Sequence, residues 1–211
     1  MFEKEIIIFA NSVKNNKHCV AGKDIVTKEW IRAVSSVNGG ALDDNIVIYE
    51  NKGKFWKVKP LDRILIKFEK KSSLANQPEN YLISNSPWET KFKIERNIVS
   101  DYLDKPDNLW LYDYNYIDRV NYNNIINNQY KINQSLYLIH VDFIKLYRKG
   151  RMNQSPQRRG RFIYNKIEYD LALTDPNFTN LIEENLKDKY LCISLGEEFQ
   201  GYCYKIIACV I

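Results

Sequence analysis

Histidine and cysteine are scarce in this chain, and their scarcity closes off most metal and covalent chemistry. Its 211 residues include only two histidines, His18 and His140, and four cysteines, Cys19, Cys192, Cys203 and Cys209. The cysteines form no Cys-x-x-Cys pair, are too sparse for a disulfide framework, and build no metal-spaced cluster with the histidines. Long apolar runs are also missing, since none nears the roughly 18 residues of a membrane span. The first residues carry acids where a signal peptide needs a basic region, so Ile6 to Phe9 reads as a buried strand. No nucleophile elbow, His-Glu-x-x-His motif or Gly-x-x-x-x-Gly-Lys loop is present. The expectation is a cytoplasmic protein with reduced thiols, no membrane partner, no metal and no cofactor. No catalytic residue is assigned, and the reading leans away from an enzyme.

What is present is ordinary for a globular protein: 45% apolar residues, 27% charged residues and a net charge of +5. Such a mild positive charge permits an anionic partner without demanding one. The pattern is mainly β. Glu5 to Ala10, His18 to Ala21, Trp30 to Val34, Ile46 to Tyr49 and Leu61 to Phe68 are short extended runs, with Gly22 read as a turn and Gly39-Gly40 as a break. Residues 1–72 therefore read as one small barrel. Residues 73–134 read as an ordered insertion. It holds a helix over Lys93 to Leu103, an aromatic alternation of Trp110, Tyr112, Tyr114 and Tyr116, and a mobile part near Asn123 to Asn128.

Residues 135–211 are the most informative. Ser135 to Tyr147 is a long strand, Gly150 to Gly160 a loop, and Arg161 to Tyr164 and Ile167 to Leu173 a hairpin closed by Asn165-Lys166. Asp175-Pro176 has the chemistry of a helix start, with Phe178, Leu181, Ile182 and Leu186 at helical spacing behind it. Tyr190 to Leu195 and Tyr202 to Ile211 supply two final strands. A long strand, a strand pair, a helix and two strands form the element order of an OB barrel. Such barrels take oligonucleotides or oligosaccharides across strands two and three and the adjoining loops, here Gly150 to Gly160 and Gly196 to Gly201.

The order of short motifs also resembles a bacterial family of dual OB-containing domains. Asn11-Ser12-x-Lys14, Cys19-x-Ala21-Gly22, Trp30-Ile31-Arg32 and Val34-Ser35 open it. Leu61-Asp62, Gln77-Pro78-Glu79-Asn80 and Trp88 follow, and Tyr169-Asp170-Leu171, Thr174-Asp175-Pro176, Ser194-Leu195-Gly196 and Tyr204-Lys205 close it. The resemblance implies two OB-like barrels in a prokaryotic, cytoplasmic setting and carries over no catalytic residue. Ala33 departs from the pattern, standing where a proline is expected after the arginine.

Two groups are candidate ligand contacts. From Phe143 to Ile167 there is no acid, and Lys149, Arg151, Gln157, Arg158, Arg159 and Arg161 fall at the ligand loop of the second barrel, with Asn153 and Gln154 beside them. A phosphate backbone selects such a segment; the bland reading is a charged, solvated loop. Glu197 and Glu198 oppose phosphate on the facing loop. Asn11, Lys14, Cys19, Gly22 and Arg32 form the second group, with the two cations placed for a phosphate; the bland reading is a turn glycine among surface cations. Trp30, Trp56, Trp88 and Trp110 could stack on bases, but each is expected in a core first, as are Tyr202 and Tyr204. The favoured reading is a binding module for nucleic acid or a nucleotide-like anion, with single-stranded nucleic acid or a nucleotide as the partner. The alternative is an adaptor that takes a protein partner on sheet edges, and a metal- or nucleotide-dependent hydrolase ranks third.

Overall fold

Ile64, Ile66 and Phe68 are buried while Arg63, Leu65 and Lys67 are half-buried. This two-residue period makes the segment a strand with one face on a core. The same logic runs through a computed structural model that describes residues 1–14, 16–110, 116–152 and 154–211. Tyr112, Tyr114 and Asn153, and the side chains of Lys14 and Gln154, lie outside the described residues. The chain forms two compact units, Met1–Tyr102 and Leu103–Ile211. Of the stretch read as an insertion, residues 73–102 therefore fall in the first unit and 103–134 in the second.

In the first unit β1 (Phe2–Lys14), β2 (Lys17–Asp24), β3 (Trp30–Val34), β4 (Ile48–Asn51), β5 (Lys54–Lys57), β6 (Asp62–Lys71), β7 (Asn80–Ile83) and β8 (Trp88–Lys93) follow in order. β1 pairs with β2 and β6, β2 with β3, β3 in parallel with β7, and β7 with β6. That circuit closes a five-stranded OB barrel around Ile6, Ile8, Val20, Ile31, Ile64, Ile66 and Phe68. β4 and β5 form a hairpin inserted between the third and fourth barrel strands. The helix expected over Lys93 to Leu103 is shorter and tighter, a 3-10 helix over Arg96–Tyr102. Tyr102 packs on Phe9 at 5.6 Å, and Phe9 on Trp30 at 6.1 Å. Phe9 is free to do so because the β1–β2 register slips between Ile8 and Ala10, a bulge that re-aims the side chain.

In the second unit β9 (Arg119–Asn121), α1 (Tyr122–Ile126), β10 (Leu136–Arg151), β11 (Gln154–Tyr164), β12 (Ile167–Leu173), β13 (Glu183–Phe199) and β14 (Tyr202–Val210) follow. β10 pairs with β11 and β13, β11 with β12, β12 in parallel with β14, and β14 with β13. This is the same circuit, closing a second five-stranded barrel. The segment expected to be mobile near Asn123 to Asn128 overlaps α1, which is capped by the Asn121 side chain and anchored by buried Ile125. No helix among the described residues is long and apolar enough to cross a membrane.

Three expectations change here. Asp175 does cap a helical start, its Oδ1 accepting from Asn177 N at 2.9 Å with Pro176 behind it. The helix, however, is one 3-10 turn, Pro176–Phe178, and Leu186 lies in β13. Gly150 to Gly160 is mostly not loop, since β10 and β11 continue past the barrel as a hairpin arm, pairing to Arg151 and Gln154. Gly22 is not a turn residue either. It lies within β2 opposite Ile8, where an added Cβ would sit 2.2 Å from the Ile7 carbonyl oxygen, so only glycine lets the strands approach.

Candidate nucleic-acid interface

β10, β11 and β12 put alternate residues outside the second barrel. Ile144 and Leu146 point into the core. Lys145, Tyr147 and Lys149 therefore point out, opposite Arg161, Arg159 and Gln157 in the cross-strand register. Gly160 faces inward, and the space a Cβ would take is filled by core side chains, Ile207 Cδ1 at 2.5 Å and Ile144 Cδ1 at 2.9 Å. The result is a cation-rich face on strands one and two of the barrel, bordered on strand three by Glu168 and Asp170; OB folds take their ligands across strands two and three.

The six predicted residues of this arm divide by what they touch. Arg158 points to the other side of the arm, where its Nη1 donates to the Asp175 carbonyl oxygen at 2.9 Å. Arg148, its cross-strand partner, donates to the carbonyl oxygens of Thr179 and Leu181. These two guanidiniums hold the turn segment after β12. Arg159 pairs with Asp170 at 2.7 Å and also donates to Gln157 Oε1 at 2.8 Å. Burial pushes the Asp170 carboxyl up, but hydrogen bonds from Tyr147 and Arg159 outweigh it and hold the group below the usual carboxylate range.

Arg161, Lys149 and Arg151 stay exposed. Arg161 lies 5.8 Å from the Tyr147 ring centre and interacts with the Tyr147 hydroxyl, with longer contacts to Asp170 at 3.7 Å and Glu168 at 3.9 Å. Lys149 and Arg151 make no ion pair among the described residues; Arg151 bonds to the Ser155 carbonyl oxygen, within the arm itself. Lys145 is paired with Glu183 at 2.8 Å. Phe143, 46% exposed, extends the same face toward Lys187 of β13. The usable positive charge is thus Lys149, Arg151 and Arg161, beside a half-buried tyrosine and an exposed phenylalanine. The turn between β13 and β14 narrows to Gln200-Gly201, where Glu198 accepts from the Gly201 N–H.

The opening motif is split between two sides of its sheet. Val20 faces the first barrel's core, and Asn11 lies opposite it. Asn11 donates from Nδ2 to the Val58 carbonyl oxygen at 2.8 Å and bonds His18 Nδ1 at 2.6 Å; His18 also meets Asp44 at 2.9 Å. Arg32 lies opposite Ala21, so it shares the other side with Cys19, whose sulfur accepts from Arg32 Nη1 at 3.0 Å. The Arg32 guanidinium is 3% exposed and bonded to Glu79 at 3.4 Å. Asn76, Gln77 and Asn80 are buried in the same stretch as Glu79, and Asn80 Nδ2 bonds Gln77 Oε1 at 3.2 Å. Arg32 thus fastens the β6–β7 connection to β3.

Tyr202 and Tyr204, expected in the core, point outward instead. Cys203 and Lys205 take the inward positions of β14. Arg119 lies between the rings of Tyr116, Tyr202 and Tyr204, 4.7–5.4 Å from their centres, and pairs with Asp118 at 2.8 Å. Of the four tryptophans, Trp30, Trp88 and Trp110 are buried and Trp56 is exposed. Among the described residues no three His, Cys, Asp or Glu side chains converge on a metal site.

A family model described as "Dual OB-containing domain" matches residues 4–210. Comparison with curated proteins and with solved structures gives no significant match.

Proposed function

Because the chain belongs to the dual OB-containing domain family, whose paired barrels make it a binding module, we propose that it binds single-stranded nucleic acid. The observation that carries this reading is the outer face of β10–β12. Lys149, Arg151 and Arg161 stand without close acid partners there, beside Tyr147 and exposed Phe143. Phosphates pair with the three cations, and bases stack on the aromatic rings. Each such stack is worth roughly 1–3 kcal/mol and is indifferent to sequence, because every base has a π-face. The arm suits a single strand better than a mononucleotide, since its cations are spread along two strands rather than gathered in a cradle of backbone N–H groups.

Fluorescence anisotropy of a labelled oligothymidylate, titrated with the protein at two salt concentrations, tests this directly. Binding that weakens as salt rises supports the reading. No binding at low salt overturns it.

A further inference from the structure

The β4–β5 hairpin of the first barrel carries a second set of features that the β10–β12 face does not explain. Its base is fixed by buried Val47 and Val58, and the Asn11 amide donates to the Val58 carbonyl oxygen. Beyond that base every residue of β5 is exposed, including Phe55 at 71% and Trp56 at 51%. Lys52, Lys54 and Lys59 are exposed and make no ion pair among the described residues, whereas Lys57 is held by Asp44 at 2.8 Å.

β5 ends its sheet. Lysines on an edge strand have a ready structural reason, since charge there discourages pairing with another chain. Two exposed large aromatics do the opposite, and edge protection cannot account for them. Phe55 and Trp56 point to opposite faces of the strand, and Trp56 shares its face with unpaired Lys54; a ring beside an ammonium group matches a strand of nucleic acid, ring for base and cation for phosphate. A membrane is the poorer fit. The tip, Asn51-Lys52-Gly53-Lys54, is polar, and the aromatics sit on its flank, where insertion would drag the lysines below the headgroups.

We infer that this hairpin is a second nucleic-acid contact, in which a base stacks on Trp56 and Lys52, Lys54 and Lys59 take phosphates. The inference rests on the proposed reading only in sharing its ligand class; the residues and the unit are different. It is tested by intrinsic tryptophan fluorescence of the full chain titrated with oligothymidylate, with anisotropy recorded in parallel. Trp30, Trp88 and Trp110 are only 5%, 3% and 2% exposed, so quenching by a bound base reports Trp56. The expected result is saturable quenching that disappears in Trp56→Ala, together with about a 5- to 100-fold loss of affinity. Trp56→Phe, which keeps a stacking ring, retains most of the affinity and guards against a mere folding defect. Strand binding by anisotropy with no quenching and an unchanged Trp56→Ala overturns this inference and leaves the β10–β12 reading standing. No binding at all removes both. A blue shift with phosphatidylserine vesicles and none with the oligonucleotide assigns the hairpin to membranes and overturns the inference.

Discussion

Arg158 donates to the backbone carbonyl oxygen of Asp175, the same residue whose carboxylate caps the turn at Pro176 and accepts from Val210 N at 2.9 Å. One arginine of the basic arm thus belongs to the scaffold. Burial pulls its guanidinium below the usual arginine range, as expected for a cation held against backbone rather than water. Replacing Arg158 by Ala leaves that carbonyl without its partner and should cost about 1–3 kcal/mol, read as a lower urea midpoint. Replacing exposed Arg161 should leave the midpoint nearly unchanged.

Gly160→Ala provides a second stability test. The added methyl group meets the Cδ1 ends of Ile207 and Ile144 inside van der Waals distance, so those core side chains must shift. Overpacking of this kind costs about 1–3 kcal/mol. Gly150→Ala, on the open arm with nothing within 4 Å, is the control and should be nearly neutral.

Lys205 predicts a pH signature. It points into the second barrel, 1% exposed, with its ammonium on the Ile117 carbonyl oxygen at 2.8 Å. Burial pushes its pKa down to about 7, with nearby Asp118 pulling partly back. Below pH 7 the amine is charged in folded and unfolded chains alike, and the burial penalty is fully present. Above it the folded chain has shed a proton that the unfolded chain keeps to about pH 10.4, so stability rises with pH by up to about 1.4 kcal/mol per unit. Urea midpoints at pH 7, 8 and 9 should climb in the wild-type chain relative to Lys205→Met. Parallel profiles would show that the folded amine keeps its ordinary pKa.

Local chemistry made much of this fold legible in the sequence. Asn165-Lys166 closes a hairpin with positive φ at both residues, and Asp175-Pro176 starts a helical turn, as read. The length of that helix was not legible. Phe178, Leu181, Ile182 and Leu186 keep helical spacing, yet residues from Glu183 onward extend because the long β10 supplies partners, Tyr147 opposite Glu183 and Lys145 opposite Asn185. That pairing is decided far away in the chain. The same holds for Gly22, whose need for a bare Cα comes from the Ile7 carbonyl on the neighbouring strand. β5 is not among the expected strands, although the sequence holds a local signal for its hairpin with β4. Lys52 and Gly53 both have positive φ between Ile48-Tyr49 and Phe55-Trp56, a two-residue turn flanked by strand formers. In the basic segment, composition showed the cations but not which carbonyl or carboxylate each one meets.

The most direct test of the central claim is the salt dependence of oligothymidylate affinity in the triple variant Lys149→Ala, Arg151→Ala, Arg161→Ala. None of the three is buried against the barrel as Arg158 is; Arg151 bonds only the Ser155 carbonyl oxygen at the exposed arm, so the variant should fold with a nearly unchanged urea midpoint. Each lost phosphate contact removes about 0.7 from the slope of log affinity against log salt for single strands. The account predicts weaker binding and a slope shallower by about 2. A folded triple variant with wild-type affinity and wild-type slope would contradict it.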